Sequence, residues 1–572
     1  MFGKVLIANR GEIAVRVIRA CRLLGVRSVA IYSEADRGAL HVRLADEAIA
    51  CGPARASASY LDSAGIVEIA KRVGADALHP GYGFLAENAE FAEAVALAGI
   101  TFIGPSPEVI RSMGWKIAAR ERMRAAGVSV VQGSEQIRHA SAAREMAAAL
   151  GYPVLVKASA GGGGRGMRRA DDEAELEVAL EHAASEAEAA FGNGAVYLEK
   201  CLLRPRHIEI QIMADGQGNV VHLGERECSI QRRHQKLVEE APAFAMTDAL
   251  RGAMGEAAVR GAKAVGYEGA GTFEFLVDTS GDFYFLEMNT RIQVEHAVTE
   301  EVTGLDLVGL QIRIAAGEPL PFAQADISIT GHAIEARIYA EDPDNGFIPS
   351  SGRIVGWLAP SGPGIRLDSG FEGGQTVTSH YDPMIAKLIA SGRNREEALA
   401  RMATALEEFW IAGIRTGLPF LRRLVETPAF RKGRYDTGFI DAEMSGARPP
   451  LAAELRERVL AVVGRWAALT GDGDGRRFRV AIAKEEAVVV EVLSSSNPVR
   501  VRVGEHEVEF ELVHSESDSP IVTIRQADAE TRMTIVARRK GGFDVGLRDR
   551  VLRVKCEVED AAHDDGALRP LR

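Results

Sequence analysis

The chain has 572 residues, 47% of them apolar, and 68 lysines and arginines against 80 aspartates and glutamates, a net charge of −12. That length calls for several packing units. The acidic balance argues against a general nucleic-acid binder, and no run of about 18 apolar residues marks a membrane span.

From the N-terminus, Met1–Ala8 enters a strand at once, without the apolar stretch and cleavage site of a signal peptide. Residues 1–113 alternate strands and helices. Strands are expected at Val5–Ala8, Ser28–Tyr32, Ala77–His79 and Thr101–Ile103. Helices are expected up to Leu24, at Ile66–Val73 and at Glu87–Ala98. This rhythm predicts a parallel α/β sheet with its chemistry at the carboxyl ends of the strands. Pro153–Ala158 reads as a strand, Asp172–Glu188 as a helix and Ala195–Leu198 as a strand. Residues 204–446 alternate strands and helices and hold the densest polar motifs. Leu451, Leu455, Val459, Val462, Val463 and Trp466 share one helical face, Gly471–Gly475 reads as a linker, and the remainder alternates as a small antiparallel β-domain. The five cysteines are scattered without a CxxC pair, which excludes a cysteine-built zinc site and favours a reducing cytoplasm.

Four motifs carry chemistry. Ala160–Gly166 follows the strand that ends in Lys157. Glycine backbone can approach phosphates closely and offer them N–H donors, and Lys157 adds a point charge. A plain flexible loop is the other reading. Glu274 on one strand and Glu287 and Asn289 on the next, joined by a turn at Thr279–Asp282, form a hairpin whose hard oxygen ligands suit Mg²⁺ or Mn²⁺. Ordinary polar side chains facing water would give the same pattern. Asn289–His296 places Arg291, an oxyanion fork, beside Glu295, a candidate general base, or else forms a surface salt bridge. Glu227–Lys236 is rich in donors and could line an anion pocket or be a solvated loop. His207 is a lone histidine beside a strand.

In this order the segments resemble the ATP-grasp superfamily and, within it, the biotin carboxylase family. The resemblance covers residues 1 to about 446. It rests on Ile7–Ala14, His79–Asn88, the Lys157 glycine loop, Glu227–Lys236, Glu287–His296 and Gly331–Arg337. It implies an α/β (α+β) fold: an N-terminal parallel α/β domain at 1–113, then an ATP-grasp core at 114–330 with a mobile glycine-rich lid at about 131–203. A C-terminal carboxylase domain at 331–446 completes it. A helix and linker at 447–475 and the antiparallel β-domain at 476–572 follow.

The resemblance also implies residue roles. ATP would be held by Lys116, Lys157, Gly163 and Gly164, by the adenine-side run Glu199, Lys200, Cys201 and Leu202, and by His207, Gln231, His234, Glu274 and Glu287. Two Mg²⁺ or Mn²⁺ ions would sit on Glu274, Glu287 and Asn289. Bicarbonate would meet Lys236, Arg291, the Val294 backbone and Glu295, and Arg337 would steady the biotin enolate. The catalytic set is Arg291, Glu295, Lys236 and Arg337. The implied reaction is carboxylation of biotin through carboxyphosphate, as the first half-reaction of an acyl-CoA carboxylase. The alternatives are another ATP-grasp carboxylate–amine ligase or a biotin carboxylase of the pyruvate carboxylase type.

Two positions depart from the family pattern: Trp115 stands where aspartate is usual and Gly417 where asparagine is usual. No Ala-Met-Lys-Met biotin-attachment motif occurs. The expected partners are therefore a biotin carboxyl carrier, on a separate chain or a missing segment, and a carboxyltransferase β subunit, within a cytoplasmic homo-oligomer. By architecture alone the β-domain resembles the barrel that docks that β subunit; a generic β-domain is the other reading.

Overall fold

The computed structural model describes residues 1–134, 137, 140–158, 167–191, 194–244, 246–446, 448–469, 476–514, 519–527, 529–538 and 542–559. The N-terminal sheet has five strands in the order Glu47–Gly52, Arg27–Ser33, Lys4–Ile7, Ala77–His79 and Thr101–Phe102. Every pairing in it is parallel. The edge strand Glu47–Gly52 is absent from the sequence-based expectations. Its residues are half-exposed or exposed, so it lacks the apolar contrast of its neighbours. At the carboxyl ends of the two central strands, Asn9 Nδ2 donates to the carbonyls of Pro80 (2.7 Å) and Tyr82 (2.8 Å). Two motif loops are thereby tied into one wall.

A three-stranded antiparallel sheet (Arg168–Ala170, Val154–Ala158, Val196–Lys200) carries the helices Ala140–Leu150 and Glu173–Phe191. Val154, Val156, Val196 and Leu198 pack against Ala143, Ala147, Leu176 and Ala183. The whole glycine-rich loop Ala160–Gly166, Gly163 and Gly164 included, lies outside the described residues, as does the Gly471–Gly475 linker.

The central element is one eight-stranded antiparallel sheet. Its order is Phe283–Asn289, Gly269–Val277, Arg206–Ala214, Val220–Arg232, Gln235–Ala241, His332–Tyr339, Met384–Gly392 and Ile365–Ser369. It runs without a break across the position where the sequence suggests a boundary, because Val238–Ala241 pairs with Ala333–Ala336. Strand alternation sorts its two faces. Ile208, Ile210, Ile212, Phe273 and Phe275 pack in a buried apolar cluster with Met254, Ala257, Ala258 and Met123. The intervening residues include His207, Glu209, Gln211, Thr272 and Glu274, and register aligns the charged ones across strands. Glu287, Glu274, Glu209 and Arg226 form one row over four strands. Arg337, Lys387 and Asp368 form another over three. A polar face is thus built before any ligand is considered.

At the C-terminal end, eight strands from Arg477–Ile482 to Val551–Val558 close into an antiparallel barrel. The helix Ala453–Leu469 is part of this unit. It buries Val459, Leu460, Ala461, Val462, Val463 and Gly464 in succession, which is the pattern of a helix covered on every side. Its residues share one core with Phe478, Val490, Val501, Phe510, Ile524 and Ile535 of the strands. A Cβ on Gly464 would run into Val490 Cγ1. An arginine seam joins the barrel to the carboxylase end. Arg422 Nη1 donates to the Arg548 carbonyl (2.9 Å), and Arg415 donates to the Val551 carbonyl (2.9 Å) and to Asp544 (3.1 Å). Arg548 pairs with Glu407 and Glu426.

Candidate active site

A cleft of about 1160 Å³ lies against the polar face of the central sheet. Its walls come from the Asn9–Ile13 and Tyr82–Phe84 loops, the three-stranded unit and the strands around Glu274, Glu287 and Arg337. Of the residues marked in the sequence, Lys116, Lys157, Glu199, Lys200, Leu202, His207, Gln231, His234, Lys236, Glu274, Glu287, Asn289, Arg291, Val294 and Arg337 all line it. Cys201 and Glu295 do not: Cys201 is buried away from the lining, and Glu295 is fully buried.

Glu295 sits one side chain behind the wall. Lys236 Nζ lies 2.6 Å from its Oε1, and Arg337 Nη2 lies 2.9 Å from its Oε2. Burial pushes the Glu295 carboxyl up, but Lys236, Arg337 and Arg226 outweigh it and hold the group well below the usual carboxylate range. Lys236 also binds Glu209 (2.6 Å) and Glu274 (3.0 Å), so its ammonium is ringed by three carboxylates. Arg337 Nε donates to Glu239 (2.6 Å). Burial, only partly offset by Arg337, pushes Glu239 up to about 7.

Glu274 and Glu287 are registered partners on the predicted hairpin. Glu274 Oε1 accepts from Asn289 Nδ2 (2.9 Å) and Gln293 Nε2 (3.0 Å), while its Oε2 is 3.0 Å from His207 Nε2. Burial raises the Glu274 carboxyl, and Lys236 and His207 reverse that and hold it low. Glu287 is less buried and meets Lys116 Nζ at 3.2 Å. Two ionisable carboxylates and an amide oxygen form a hard oxygen donor set that suits Mg²⁺ or Mn²⁺. His207, Glu209 and Glu274 also bring ligand atoms within 4.8 Å of one another, but Lys236 already fills the space beside two of them.

Arg291 Nε donates to Glu87 (2.8 Å), and its Nη2 donates to Asn289 Oδ1 (3.0 Å). At the far end of the cleft, Glu199 is clamped between Lys157 and Arg120. Burial raises the Glu199 carboxyl, and the two cations bring it below its ordinary value. Lys200 turns its ammonium to the Gly151 carbonyl (2.7 Å), leaving its backbone for the cleft. Arg233 and His234 form the two-residue tip of a hairpin with φ of +48° and +66°. That turn type has both central residues at positive φ, and it swings His234 over the cleft.

Sequence reasoning passed over Glu209, Arg226, Glu239, Glu12, Arg120 and Lys387. Glu209 had a signal: it stands two residues after His207 on one strand and so shares its face. Arg226 is fully buried and donates to Glu209, Gln211 (2.7 Å), Thr299 (3.0 Å) and Thr272 (3.0 Å). Only tertiary pairing reveals it. Trp115 and Gly417, the two departures, both stand at helix N-caps without a side-chain cap, before Lys116–Ala125 and Leu418–Glu426. Lys116 still reaches Glu287.

Three family descriptions match in sequence: "Biotin carboxylase, N-terminal domain" over 1–110, "Carbamoyl-phosphate synthase L chain, ATP binding domain" over 116–323, and "Biotin carboxylase C-terminal domain" over 335–442. The chain is 53% identical over 443 residues to biotin carboxylase 1 of Bacillus subtilis, covering 77% of this chain and 98% of that protein. It is 54% identical over 460 residues to a pyruvate carboxylase subunit of Methanothermobacter thermautotrophicus, covering 80% and 93%. Among solved structures, it resembles the biotin carboxylase domain dimer of Hydrogenobacter thermophilus 2-oxoglutarate carboxylase in complex with MgADP, ADP and bicarbonate. There the TM-score is 0.75 at 51% identity, covering 77% of this chain and 98% of that one. With a cleft of this geometry and these matches, the chain belongs to the biotin carboxylase family, ATP-dependent ligases of the ATP-grasp fold.

Proposed function

We propose that the cleft carboxylates biotin on a carrier protein with bicarbonate and ATP, through carboxyphosphate, and that Glu295 is the base. The observation that carries this reading is the convergence of Lys236, Arg337 and Glu274 around Glu295, with Arg291 on the adjoining wall. Lys236, Arg291 and the Val294 N–H would receive bicarbonate. An anion there draws Lys236 and Arg291 off their carboxylates and opens a path to Glu295, which stays ionised and takes the bicarbonate proton. The same cations lower bicarbonate's own pKa, so the transfer is less uphill than in water. The carbonate oxygen then attacks the γ-phosphorus, the bridging P–O bond to the β-phosphate breaks and ADP leaves, while Lys116 and Lys157 balance the phosphate charge. Glu274, Glu287 and Asn289 would hold Mg²⁺ or Mn²⁺, which when bound neutralises phosphate charge. Gly163 and Gly164 would cover the phosphates, with Glu199, Lys200, Cys201, Leu202, His207, Gln231 and His234 at the nucleotide. Carboxyphosphate yields CO₂ and phosphate, the phosphate takes the ureido proton of biotin, and Arg337 stabilises the enolate that captures CO₂.

We further propose that the chain serves an acyl-CoA carboxylase-type complex, with a biotin carboxyl carrier and a carboxyltransferase β subunit seated on the barrel. Support comes from the helix-filled barrel appended to the carboxylase region. A pyruvate carboxylase-type role is the second reading, favoured by the 54% identity to the Methanothermobacter protein, which is named for pyruvate carboxylase. Incubation with ATP, Mg²⁺ and labelled bicarbonate tests the first reading: label should appear on free biotin, and ATP cleavage that ignores bicarbonate would refute it. A pull-down from the native host decides the acceptor by the carboxyltransferase that co-purifies.

A further inference from the structure

We propose that Lys387 is a positioning residue for the bicarbonate loop. The inference rests on the assignment of Arg291, Val294 and Glu295 to bicarbonate. Lys387 is the lone charge in the strand Met384–Gly392, and it is fully buried. Burying an ammonium is costly unless its hydrogen bonds and charge are met. Here they are met by two residues of the cleft lining and by Asp368 on the neighbouring strand. Its Nζ donates to the Val294 carbonyl at 2.6 Å and lies 3.4 Å from Glu12 Oε1 and 4.0 Å from Asp368 Oδ2. Glu12 in turn accepts from the Tyr82 hydroxyl.

Glu12, Tyr82 and Val294 line the cleft, whereas Lys387 does not. It therefore acts through them. The helix His296–Thr303 begins directly after Glu295, and Val298 N donates to the Glu295 carbonyl (3.3 Å). The Val294 carbonyl is held by Lys387 instead. That bond fixes the plane of the Val294–Glu295 peptide, and with it the direction in which the Glu295 side chain leaves the loop. Registered pairing places Lys387 opposite Arg337 on one side and Asp368 on the other. The strand that carries the biotin-side arginine and the loop that carries the base are thus set by one buried ammonium.

The test uses Lys387→Met, Lys387→Arg, Glu12→Gln and the double variant Lys387→Met/Glu12→Gln, which strands less charge than Lys387→Met alone. Each is assayed for the bicarbonate KM and the ATP KM of bicarbonate-dependent ATP cleavage, with Tm measured alongside. Loss of one charged hydrogen bond predicts a rise in bicarbonate KM of about tenfold or more in Lys387→Met and in the double variant, with the ATP KM held within about twofold. Lys387→Arg should recover part of the loss, and Glu12→Gln alone should raise the bicarbonate KM less than Lys387→Met does, because the Val294 bond survives. Parallel rises in both KM values, or a parent-like bicarbonate KM in a double variant that melts like the parent, would overturn the role. If Lys387→Met does not fold, the double variant and Lys387→Arg decide. Glu295→Gln serves as the control: if it keeps full bicarbonate dependence, the bicarbonate assignment itself fails, not the role of Lys387.

Discussion

Lys236 Nζ and Glu295 Oε1 lie 2.6 Å apart, with the lysine on the cleft wall and the carboxylate buried behind it. The proposed base is thus stored as one half of an ion pair, and on that proposal the same lysine that keeps it ionised must be drawn aside for it to act.

Glu295→Gln keeps the shape of the site and removes the proposed base. Bicarbonate-dependent ATP cleavage is expected to fall by about 10² to 10⁴, measured as steady-state phosphate release with and without bicarbonate. A loss under about threefold would remove Glu295 from the mechanism.

Arg337→Gln should separate the two chemical steps. Loss of an enolate donor is expected to cost about 10² to 10³ in biotin carboxylation. ATP cleavage should fall less, but it will not be spared outright, because Arg337 also contacts Glu295 at 2.9 Å. Burial already raises Glu295, and Arg337 is one of the cations that reverse this. Without it the carboxyl moves up, so the acid limb of the ATP-cleavage profile should shift to higher pH.

Trp115→Asp should stabilise the protein by about 1 kcal/mol and Gly417→Asn by a few tenths. Each supplies an N-cap oxygen to a helix that lacks one. Thermal melts check both. Lys116 follows Trp115 directly, so any fall in the ATP KM of Trp115→Asp would tie the cap to the nucleotide site.

Acid should loosen the fold through buried His41, whose pKa burial lowers to about 4. The unfolded chain takes up this proton near pH 6.5, and the native state does so only lower. Stability from this group is therefore full above about pH 6.5 and declines as pH falls toward about 4. His41→Gln should flatten the stability–pH slope in that window, read from denaturant midpoints.

Gly464→Val should disturb the barrel alone. The added carbons meet Val490, and overpacking costs about 1 to 3 kcal/mol. The variant is expected to melt earlier while bicarbonate-dependent ATP cleavage below the transition is unchanged.

Much of this site is legible in the sequence because its residues fall in short strand and loop motifs. Glu274, Glu287 and Asn289 can be placed on one hairpin from alternation alone, and the hairpin register pairs Glu274 with Glu287. What stays hidden is whatever depends on distant strands meeting. Lys387 reads as a single charge in an apolar run and Arg226 as the middle of three successive charges, Glu225–Glu227, and their partners lie 15 to 375 positions away. The fold shows the same split. The alternation in residues 1–113 predicts a parallel sheet, yet the pairing of residues 238–241 with 333–336, which makes one sheet of two apparent domains, leaves no local mark. The helix Ala453–Leu469 looks amphipathic on one face from spacing, and only its packing against the barrel strands explains why Val459–Gly464 is buried on every side.

The arginine seam has a mechanical consequence. Arg415, Arg422 and Arg548 lock the barrel to the carboxylase end at several points rather than through a hinge. A protein seated on the barrel is therefore presented to the cleft at one fixed bearing. On the proposed seating of a carboxyltransferase there, the distance between the two reaction centres would be a constant of the fold, and the travelling arm of the carrier would have to supply all of the reach.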